Sequence, residues 1–154
     1  MVSKRVGALL KARGWTLSVA ESSTAGLLGH RITQVSGRSP YFMGGVIAYD
    51  NAVKCDLLSV RPQSIQRWGA VSAQVALEMA VGVQPRLGTE MALSITGIAG
   101  PTGATPQKPV GLAYIGLAAP VERWVWRYLA HGDRDSNNHA FAEAALEYIL
   151  LYLS

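Results

Sequence analysis

The stretch that decides the fold is Ala20-Glu21-Ser22-Ser23-Thr24-Ala25-Gly26. A short run with β-strand character, Trp15–Ala20, precedes it, and an amphipathic run that begins at Leu27 follows it. A strand, a tight polar turn and a helix in this order expose a hydroxyl group at the edge of a sheet and leave backbone N–H groups free beside it. Two interpretations are open for this turn. Either Ser22 or Ser23 is the N-cap of the helix, or one of them takes part in chemistry.

Length and composition are those of one folded domain over residues 1–154. Hydrophobic residues make up 49% of the chain and charged residues 16%, which is the balance of a globule with a buried core. The net charge of +4 comes from basic residues that are spread along the chain without a long run of like charge, a pattern that does not indicate nucleic-acid binding. A single cysteine, Cys55, and three dispersed histidines argue against a disulfide and against a metal site. The absence of a signal peptide and of an apolar run of about 18 residues predicts a cytoplasmic protein without membrane contact.

Helical and strand-like patterns alternate along the chain. Apolar residues at helical spacing predict helices over 1–13, 24–33, 52–58, 72–84 and 135–153, with a further helical piece that opens at Pro62. Strand patterns cover 15–20, 43–49, 90–96, 110–118 and 122–130, and the last two form a hairpin. Ser39–Phe42 is expected to be a turn or a short helix. This order predicts a layered α/β domain whose sheet is mainly parallel until the last hairpin.

Three of the predicted strands end in polar residues. These ends are Glu21-Ser22, Tyr49-Asp50 and Thr96-Gly97. A long glycine-rich loop, 97–109, follows the third strand, and loops of this length in compact domains are usually functional or mobile. Because ligands of open α/β sheets bind beyond the carboxyl ends of the strands, we predict a site at this edge.

Ser22, Tyr49 and Lys54 are the candidate catalytic residues. A serine hydroxyl needs a base to become a nucleophile, and no histidine occupies a comparable strand end, so a Ser-His-Asp triad is not supported. With a helix N-cap at position 50 or 51, Lys54 lies near a helix start, where the dipole disfavours positive charge and favours the neutral amine. Tyr49 would relay or orient a proton. Free N–H groups after Ser22, or in the loop 97–100, would stabilise an oxyanion.

Each of these features also has a purely structural interpretation. Lysines mostly lie solvated at the surface, a lone tyrosine usually packs its ring in the core, and the glycine-rich loop lacks the Gly-Lys-Ser/Thr of a phosphate-binding loop. Cys55 is interpreted as a small buried hydrophobe rather than a reactive thiol. The residues alone indicate a hydrolase or a small-ligand binder and do not decide between the two.

Four motifs occur in a recognisable order: Ala20–Gly26, Gly44–Lys54, Gly69–Ser72, and Thr96–Pro101 with Lys108–Gly111. Together they resemble the C-terminal domain of the competence/damage-inducible protein CinA over essentially the whole chain. The resemblance implies a three-layer α/β/α sandwich with a mixed, mostly parallel five-stranded sheet, and commonly a homo-oligomer. It also implies one amidohydrolase domain. Stand-alone members are nicotinamide mononucleotide (NMN) deamidases, which release nicotinate mononucleotide and ammonia, and no metal or other cofactor is expected.

The resemblance places the family's catalytic serine, tyrosine and lysine on Ser22, Tyr49 and Lys54. Ser22 would attack the carboxamide carbon, with Lys54 as the base and then as the proton donor to ammonia, before water hydrolyses the acyl-enzyme. Direct activation of water by Lys54 is the alternative. Contacts to the pyridine mononucleotide are expected from Glu21, Ser23, Thr24, Gly26, Gly45, Thr96, Gly97, Gly100 and Arg134.

The sequence departs from the family pattern at three positions. Ser23 replaces a cysteine and Ala25 a glycine of the usual Glu-Ser-Cys-Thr-Gly-Gly turn, and we expect Ala25 to lie within the first helical turn without a positive φ. Asn138 stands where relatives tend to place a basic residue, so phosphate binding would depend on Arg134 or His139. A second hypothesis is therefore a catalytically weak module that binds a nucleotide or a protein partner, linked to competence or DNA damage. Direct DNA binding is less supported, because no recognition-helix pattern is present.

Overall fold

The computed structural model describes residues 1–37 and 40–154, so Ser39 of the predicted turn at 39–42 lies outside it. Its elements in chain order are α1 Val2–Arg13, β1 Leu17–Glu21, α2 Leu27–Thr33, β2 Phe42–Ile47, α3 Asn51–Leu58, α4 Pro62–Trp68, α5 Ala73–Leu87, β3 Met91–Gly97, β4 Leu112–Ala118, β5 Arg123–Leu129 and α6 Arg134–Leu153.

One five-stranded sheet, in the order β2-β1-β3-β4-β5, runs through the described residues. The central strand β1 pairs in parallel with β2 and with β3. Strand β4 is antiparallel to both β3 and β5. Four of the five described strands therefore point the same way, and the predicted α/β fold with a mixed, mostly parallel sheet is confirmed.

Helices cover both faces of this sheet. Apolar residues of α1, α2 and α6 form one buried cluster with alternate residues of the strands, such as Leu17, Val19 and Leu93. The intervening strand residues, such as Ala20 and Ala92, pack in a second cluster with α3 and α5. All five residues of β1 are buried, as expected of a strand with helices on both sides.

The turn after β1 differs from the expectation. Helix α2 begins at Leu27 rather than Thr24, and its N-cap is Gly26 with no side-chain cap bond, so neither Ser22 nor Ser23 caps the helix. Ala25 precedes the helix with φ 48, and the expectation of a negative φ at this position was wrong. The carboxylate of Glu21 accepts hydrogen bonds from the backbone N–H groups of Gly26, Leu28 and Gly29, the groups that a side-chain cap would otherwise bind.

Candidate active site

A cavity of about 310 Å³ opens beyond the carboxyl ends of β1 and β3. Its walls come from the turn after β1, the start of α3, the residues before α5, the loop after β3 and the start of α6. The lining includes eight of the predicted site residues: Ser22, Ser23, Tyr49, Lys54, Thr96, Gly97, Gly100 and Arg134. The three polar strand ends of the sequence therefore meet around one cavity.

Four predicted substrate contacts, Glu21, Thr24, Gly26 and Gly45, lie outside this lining. Thr24 donates its hydroxyl to Glu21 Oε1 at 2.6 Å, and Glu21, Gly26 and Gly45 line a separate apolar groove of about 210 Å³ beside β2. At Gly45 an added Cβ would lie 2.6 Å from the carbonyl oxygen of Val19, so this glycine permits the close approach of β1 and β2. The structure does not support a substrate contact at these four positions.

Ser22 holds the hydroxyl that a ligand can reach. Its backbone N–H donates to Ile95 O at 3.1 Å, which extends the pairing of β1 with β3 by one residue and fixes Ser22 at the strand end. Ser22 Oγ has no hydrogen-bond partner among the described residues and lines the cavity without being enclosed. Ser23 Oγ is enclosed and also lacks a partner. Of the two adjacent serines, Ser22 is the one whose hydroxyl is accessible from the cavity.

Two backbone N–H groups next to Ser22 are available as donors. The Ser22 carbonyl accepts from Ala25 N at 3.1 Å and closes a tight turn. Within that turn, the N–H groups of Ser23 and Thr24 donate to no acceptor among the residues that the structure describes. Unpaired N–H groups adjacent to a nucleophile are the usual source of oxyanion stabilisation.

Lys54 is buried although it carries an amine. Its side chain is 1% exposed, and Nζ donates to the carbonyl oxygen of Tyr49 at 2.8 Å. No carboxylate in the described part of the chain lies within ion-pair distance of it. Burial lowers the pKa of Lys54 below its usual 10.5, and electrostatic interactions with Asp50 and Cys55 oppose this effect. Asp50 is the N-cap of α3, as predicted, but burial is the main cause of the lowered pKa.

Tyr49 contributes its main chain rather than its hydroxyl to this arrangement. The side chain is 62% exposed at the mouth of the cavity, and its hydroxyl forms no hydrogen bond with the described residues. The contact with Lys54 is made by the carbonyl oxygen. In this conformation the ring borders the entrance, and the predicted proton relay through the hydroxyl has no contact that supports it.

The loop after β3 is held by the start of α6. Arg134 Nη1 donates to Gly100 O at 2.8 Å. Asn137, 1% exposed, donates through Nδ2 to Ala99 O at 3.0 Å and to Gly132 O at 2.9 Å, and accepts from Gly132 N at 2.8 Å. These bonds fix one wall of the cavity.

The opposite wall is the segment before α5. Thr96 Oγ1 donates to Ala70 O at 2.8 Å, and Lys108 Nζ donates to Trp68 O, the last residue of α4. The lining residues that sequence reasoning missed are Asn51, Ala70, Val71, Ile98, Ala99, Thr102 and Gly103. The motif Gly69–Ser72 and the glycine-rich loop were signals for most of them.

Arg134 and Lys54 are the two cationic residues in the described lining. His139, the other residue expected to contact phosphate, lies 53% exposed with Nε2 at 3.8 Å from Asp135 Oδ1, and it does not line the cavity. Asn138 Oδ1 is enclosed and has no hydrogen-bond partner in the described part of the chain. Of the two residues expected to contact phosphate, Arg134 lines the cavity and His139 does not.

The described residues contain neither a cluster of metal-binding side chains nor a membrane-spanning helix. No three metal-binding side chains (His, Cys, Asp or Glu) are grouped closely enough to hold an ion within 1–37 and 40–154. None of the helices in that part of the chain has the length and apolarity needed to cross a bilayer.

The sequence is similar to known proteins along its length. The family model of the CinA C-terminal domain matches residues 1–153. A CinA-like protein of Trichormus variabilis is 54% identical over 147 residues, which are 94% of this chain and 35% of that relative. The chain thus spans about a third of the length of the curated relatives that it matches.

Solved structures share the whole fold. A competence/damage-inducible protein from Agrobacterium tumefaciens superposes with a TM-score of 0.94 at 33% identity, over 99% of this chain and 93% of that one. A CinA-superfamily protein from Klebsiella pneumoniae gives a TM-score of 0.95 at 27% identity, over 99% and 95% of the two chains. Both the sequence and the arrangement of the sheet lead to one assignment: the chain belongs to the CinA C-terminal domain family.

Proposed function

We propose that residues 1–154 form an amidohydrolase domain that deamidates NMN to nicotinate mononucleotide and ammonia. The observation that carries the proposal is that two unusual side chains, described next, line the same cavity. Among the residues that the structure describes, Ser22 presents an unpaired hydroxyl, and Lys54 is a buried amine with a lowered pKa and no carboxylate partner. A serine hydroxyl and a lysine that can exist as the neutral amine are the parts that a serine–lysine hydrolase requires.

The reaction follows from these groups. Lys54 Nζ, as the neutral amine, takes the proton of Ser22 Oγ, which attacks the carboxamide carbon. The N–H groups of Ser23 and Thr24 donate to the developing oxyanion. When the C–N bond breaks, Lys54 returns the proton to the departing ammonia. Water then attacks the ester at Ser22, loses its proton to Lys54 and releases the carboxylate product, while the proton returns to Ser22 Oγ. In the alternative, Lys54 activates water directly and no ester forms.

Arg134 and the cavity size support a mononucleotide as substrate. The volume of about 310 Å³ lies at the lower end of small-molecule sites. Arg134 at its rim can bind a phosphate through two parallel N–H donors. We assign the carboxamide to the Ser22 end and the phosphate to the Arg134 end. The domain would then act in pyridine nucleotide recycling in the cytoplasm, as a homo-oligomer that needs no metal. Light scattering tests the oligomeric state, and activity after chelator treatment tests the metal requirement.

Ammonia release from NMN tests the activity itself. The wild type is expected to turn over, and Ser22→Ala and Lys54→Ala are expected to lose at least about a thousandfold in kcat, as removal of a nucleophile or its base does in serine hydrolases. Ser136→Ala, at an exposed serine of α6 outside the cavity, is the control and should retain turnover. A wild type that hydrolyses neither NMN nor related amides contradicts the proposal. Added hydroxylamine separates the two mechanisms, since only an ester at Ser22 yields the hydroxamate.

A second candidate function, binding with little turnover, is suggested by Asn138. It is neutral at a position where relatives tend to carry a basic residue, and its Oδ1 has no described partner. A domain without that charge could bind a nucleotide or a protein partner with little turnover. Calorimetric binding of NMN without product formation would identify this function.

A further inference from the structure

We propose that Glu21 is a positioning residue for the reaction, whose buried carboxylate clamps the turn 22–26 to the start of α2 and so sets the place of Ser22. This inference rests on the proposed function and adds a residue that contacts neither the substrate nor the reacting atoms. It replaces the expectation that Glu21 touches the substrate.

The contacts of the Glu21 carboxylate define the clamp. The side chain is 2% exposed. Oε1 accepts from Thr24 Oγ1 at 2.6 Å, Gly26 N at 3.2 Å and Leu28 N at 2.9 Å. Oε2 accepts from Gly29 N at 3.0 Å. One carboxylate thereby binds four donors, three of which are backbone N–H groups at the start of a helix that has no side-chain N-cap.

This arrangement joins the sheet to the helix through one residue. The main chain of Glu21 belongs to β1, and its carbonyl oxygen accepts from Ala48 N at 2.7 Å. Its side-chain carboxylate binds the backbone N–H groups at the start of α2. An ionised acceptor at a helix N-terminus interacts favourably with both the N–H groups and the helix dipole. The position of α2 relative to the end of β1 is therefore fixed by charge-assisted hydrogen bonds.

The turn that the clamp closes is strained. Ala25 has φ 48 and Gly26 has φ 101, and the left-handed region is energetically costly for a residue other than glycine. The four hydrogen bonds to Glu21 offset that cost. Without them Ala25 would relax to a negative φ, and the residues between the two anchor points would move with it.

Those intervening residues carry the chemistry. The bond from Thr24 Oγ1 to Glu21 closes a ring that contains only Ser22 and Ser23 between its ends. The nucleophile and the two candidate oxyanion donors, the N–H groups of Ser23 and Thr24, are thus held by a contact that points away from the cavity. Because displacements of about 1 Å can cost about a hundredfold in rate, the clamp acts on kcat without touching the substrate.

Glu21→Gln is the test, with Glu90→Gln as the matched control. Glutamine keeps the size of the side chain but replaces one acceptor by a donor, which faces an N–H group. Glu90 Oε2 also accepts from a backbone N–H and a threonine hydroxyl, both of Thr16, at 2.7 and 2.6 Å. Glu90 and Thr16 lie before the first residues of β3 and β1, at the end of the sheet opposite to Glu21. Thr24→Val, which removes only the hydroxyl contact, is the milder second variant if Glu21→Gln folds poorly.

Three measurements are made on each variant: kcat and KM for NMN, thermal unfolding, and hydrogen exchange of the Gly26, Leu28 and Gly29 amides. Glu21→Gln should lower kcat by about 10- to 100-fold, change KM by less than about threefold, and speed exchange at the three amides. Thr24→Val should shift kcat in the same direction by a smaller factor. Glu90→Gln should also be destabilised, by a smaller amount because Glu90 accepts from two donors rather than four, with unchanged kcat.

Two results would overturn the clamp. In the first, the three amides exchange faster in Glu21→Gln while kcat stays within about threefold of wild type. In the second, Glu90→Gln loses as much kcat as Glu21→Gln. If the wild type does not hydrolyse NMN, the proposed function fails separately. The clamp is then judged by amide exchange and by the rate at which a sulfonyl fluoride labels Ser22, which should fall in Glu21→Gln and not in Glu90→Gln.

Discussion

Lys54 Nζ donates a hydrogen bond to the carbonyl oxygen of Tyr49 at 2.8 Å, and no carboxylate in the described chain pairs with it. A carbonyl dipole orients the amine but does not neutralise an ammonium. The side chain therefore keeps its position while burial lowers its pKa. This combination of a fixed geometry and a weakened positive charge is what a general base near neutral pH needs.

The pH dependence of turnover should reveal this group. Lys54 must be neutral to accept the proton of Ser22, so kcat for NMN is expected to rise as the pH rises through the lowered pKa of Lys54. The acid limb should therefore lie below 10.5. Stopped assays of ammonia release across the pH range measure it. The residual activity of Lys54→Ala should lack this limb, and a limb that persists there would assign the titration to another group.

Lys54→Met should stabilise the protein at neutral pH. The folded state lowers the pKa of Lys54, so between that pKa and 10.5 the unfolded chain binds more protons than the folded one. Stability then rises with pH through this window, and the cost of burying the amine is greatest below it. Methionine keeps the apolar stem, and we expect a gain of about 0.5–2 kcal/mol in the free energy of unfolding at pH 7. Denaturant unfolding at pH 7 and at pH 10 should show the gain shrinking at the higher pH.

Ala25→Gly should also stabilise the fold. Glycine relieves the left-handed strain at φ 48 but loses more backbone entropy, which leaves an expected gain of up to about 1 kcal/mol. Ser59, with φ 57 at the end of α3, is the other described non-glycine residue with a positive φ, and Ser59→Gly is the matched control. Both variants should raise the unfolding midpoint, while only Ala25→Gly should alter kcat. A lower midpoint for Ala25→Gly would mean that the turn relaxes without strain.

Asn137→Leu should loosen the wall of the cavity formed by the loop after β3. Leucine has a similar size but leaves the carbonyl groups of Ala99 and Gly132 and the N–H of Gly132 unpaired, which should cost about 1–3 kcal/mol for each group that stays buried. Calorimetry should show a lower unfolding temperature, and KM for NMN should rise. The neighbouring exposed variant Ser136→Ala is the control, because its hydroxyl bonds only to Asp133. An unchanged unfolding temperature in Asn137→Leu would contradict the role of this amide.

The sequence predicted the fold from local patterns. Alternating strands and helices gave the order of the elements, and the hairpin of β4 and β5 gave the antiparallel end of the sheet. Ser22, Tyr49 and Lys54 could be grouped because strand ends of a parallel sheet share one edge. Contacts between residues far apart in sequence, such as that of Arg134 with Gly100, have no local signal and could not be predicted.

The orientation of the Glu21 side chain could have been predicted from the alternation along β1. Side chains alternate across a strand, and Leu17 and Val19 pack in the cluster with α1, α2 and α6. Glu21 continues that series and so points beneath α2, whereas Ser22 follows it at the strand end beside the cavity. The φ of Ala25 could not be read in the same way, because strand alternation does not extend to this turn, where the neighbouring residues Thr24 and Gly26 bond to Glu21.

Arg134→Gln should weaken substrate binding more than chemistry. The guanidinium lines the cavity, and loss of a charge-assisted contact to phosphate costs about 1.5–3 kcal/mol, which is roughly a 10- to 100-fold rise in KM. The rise should be smaller for nicotinamide riboside, which lacks the phosphate. The KM of Arg134→Lys for NMN should lie between those of the wild type and Arg134→Gln, because lysine keeps the charge without the paired donors. Arg127→Gln, an exposed arginine on β5 outside the cavity, is the matched control. Since Arg134 also holds Gly100, unfolding temperatures are measured in parallel, and an equal rise in KM for both substrates would show that it acts on the loop rather than on the phosphate.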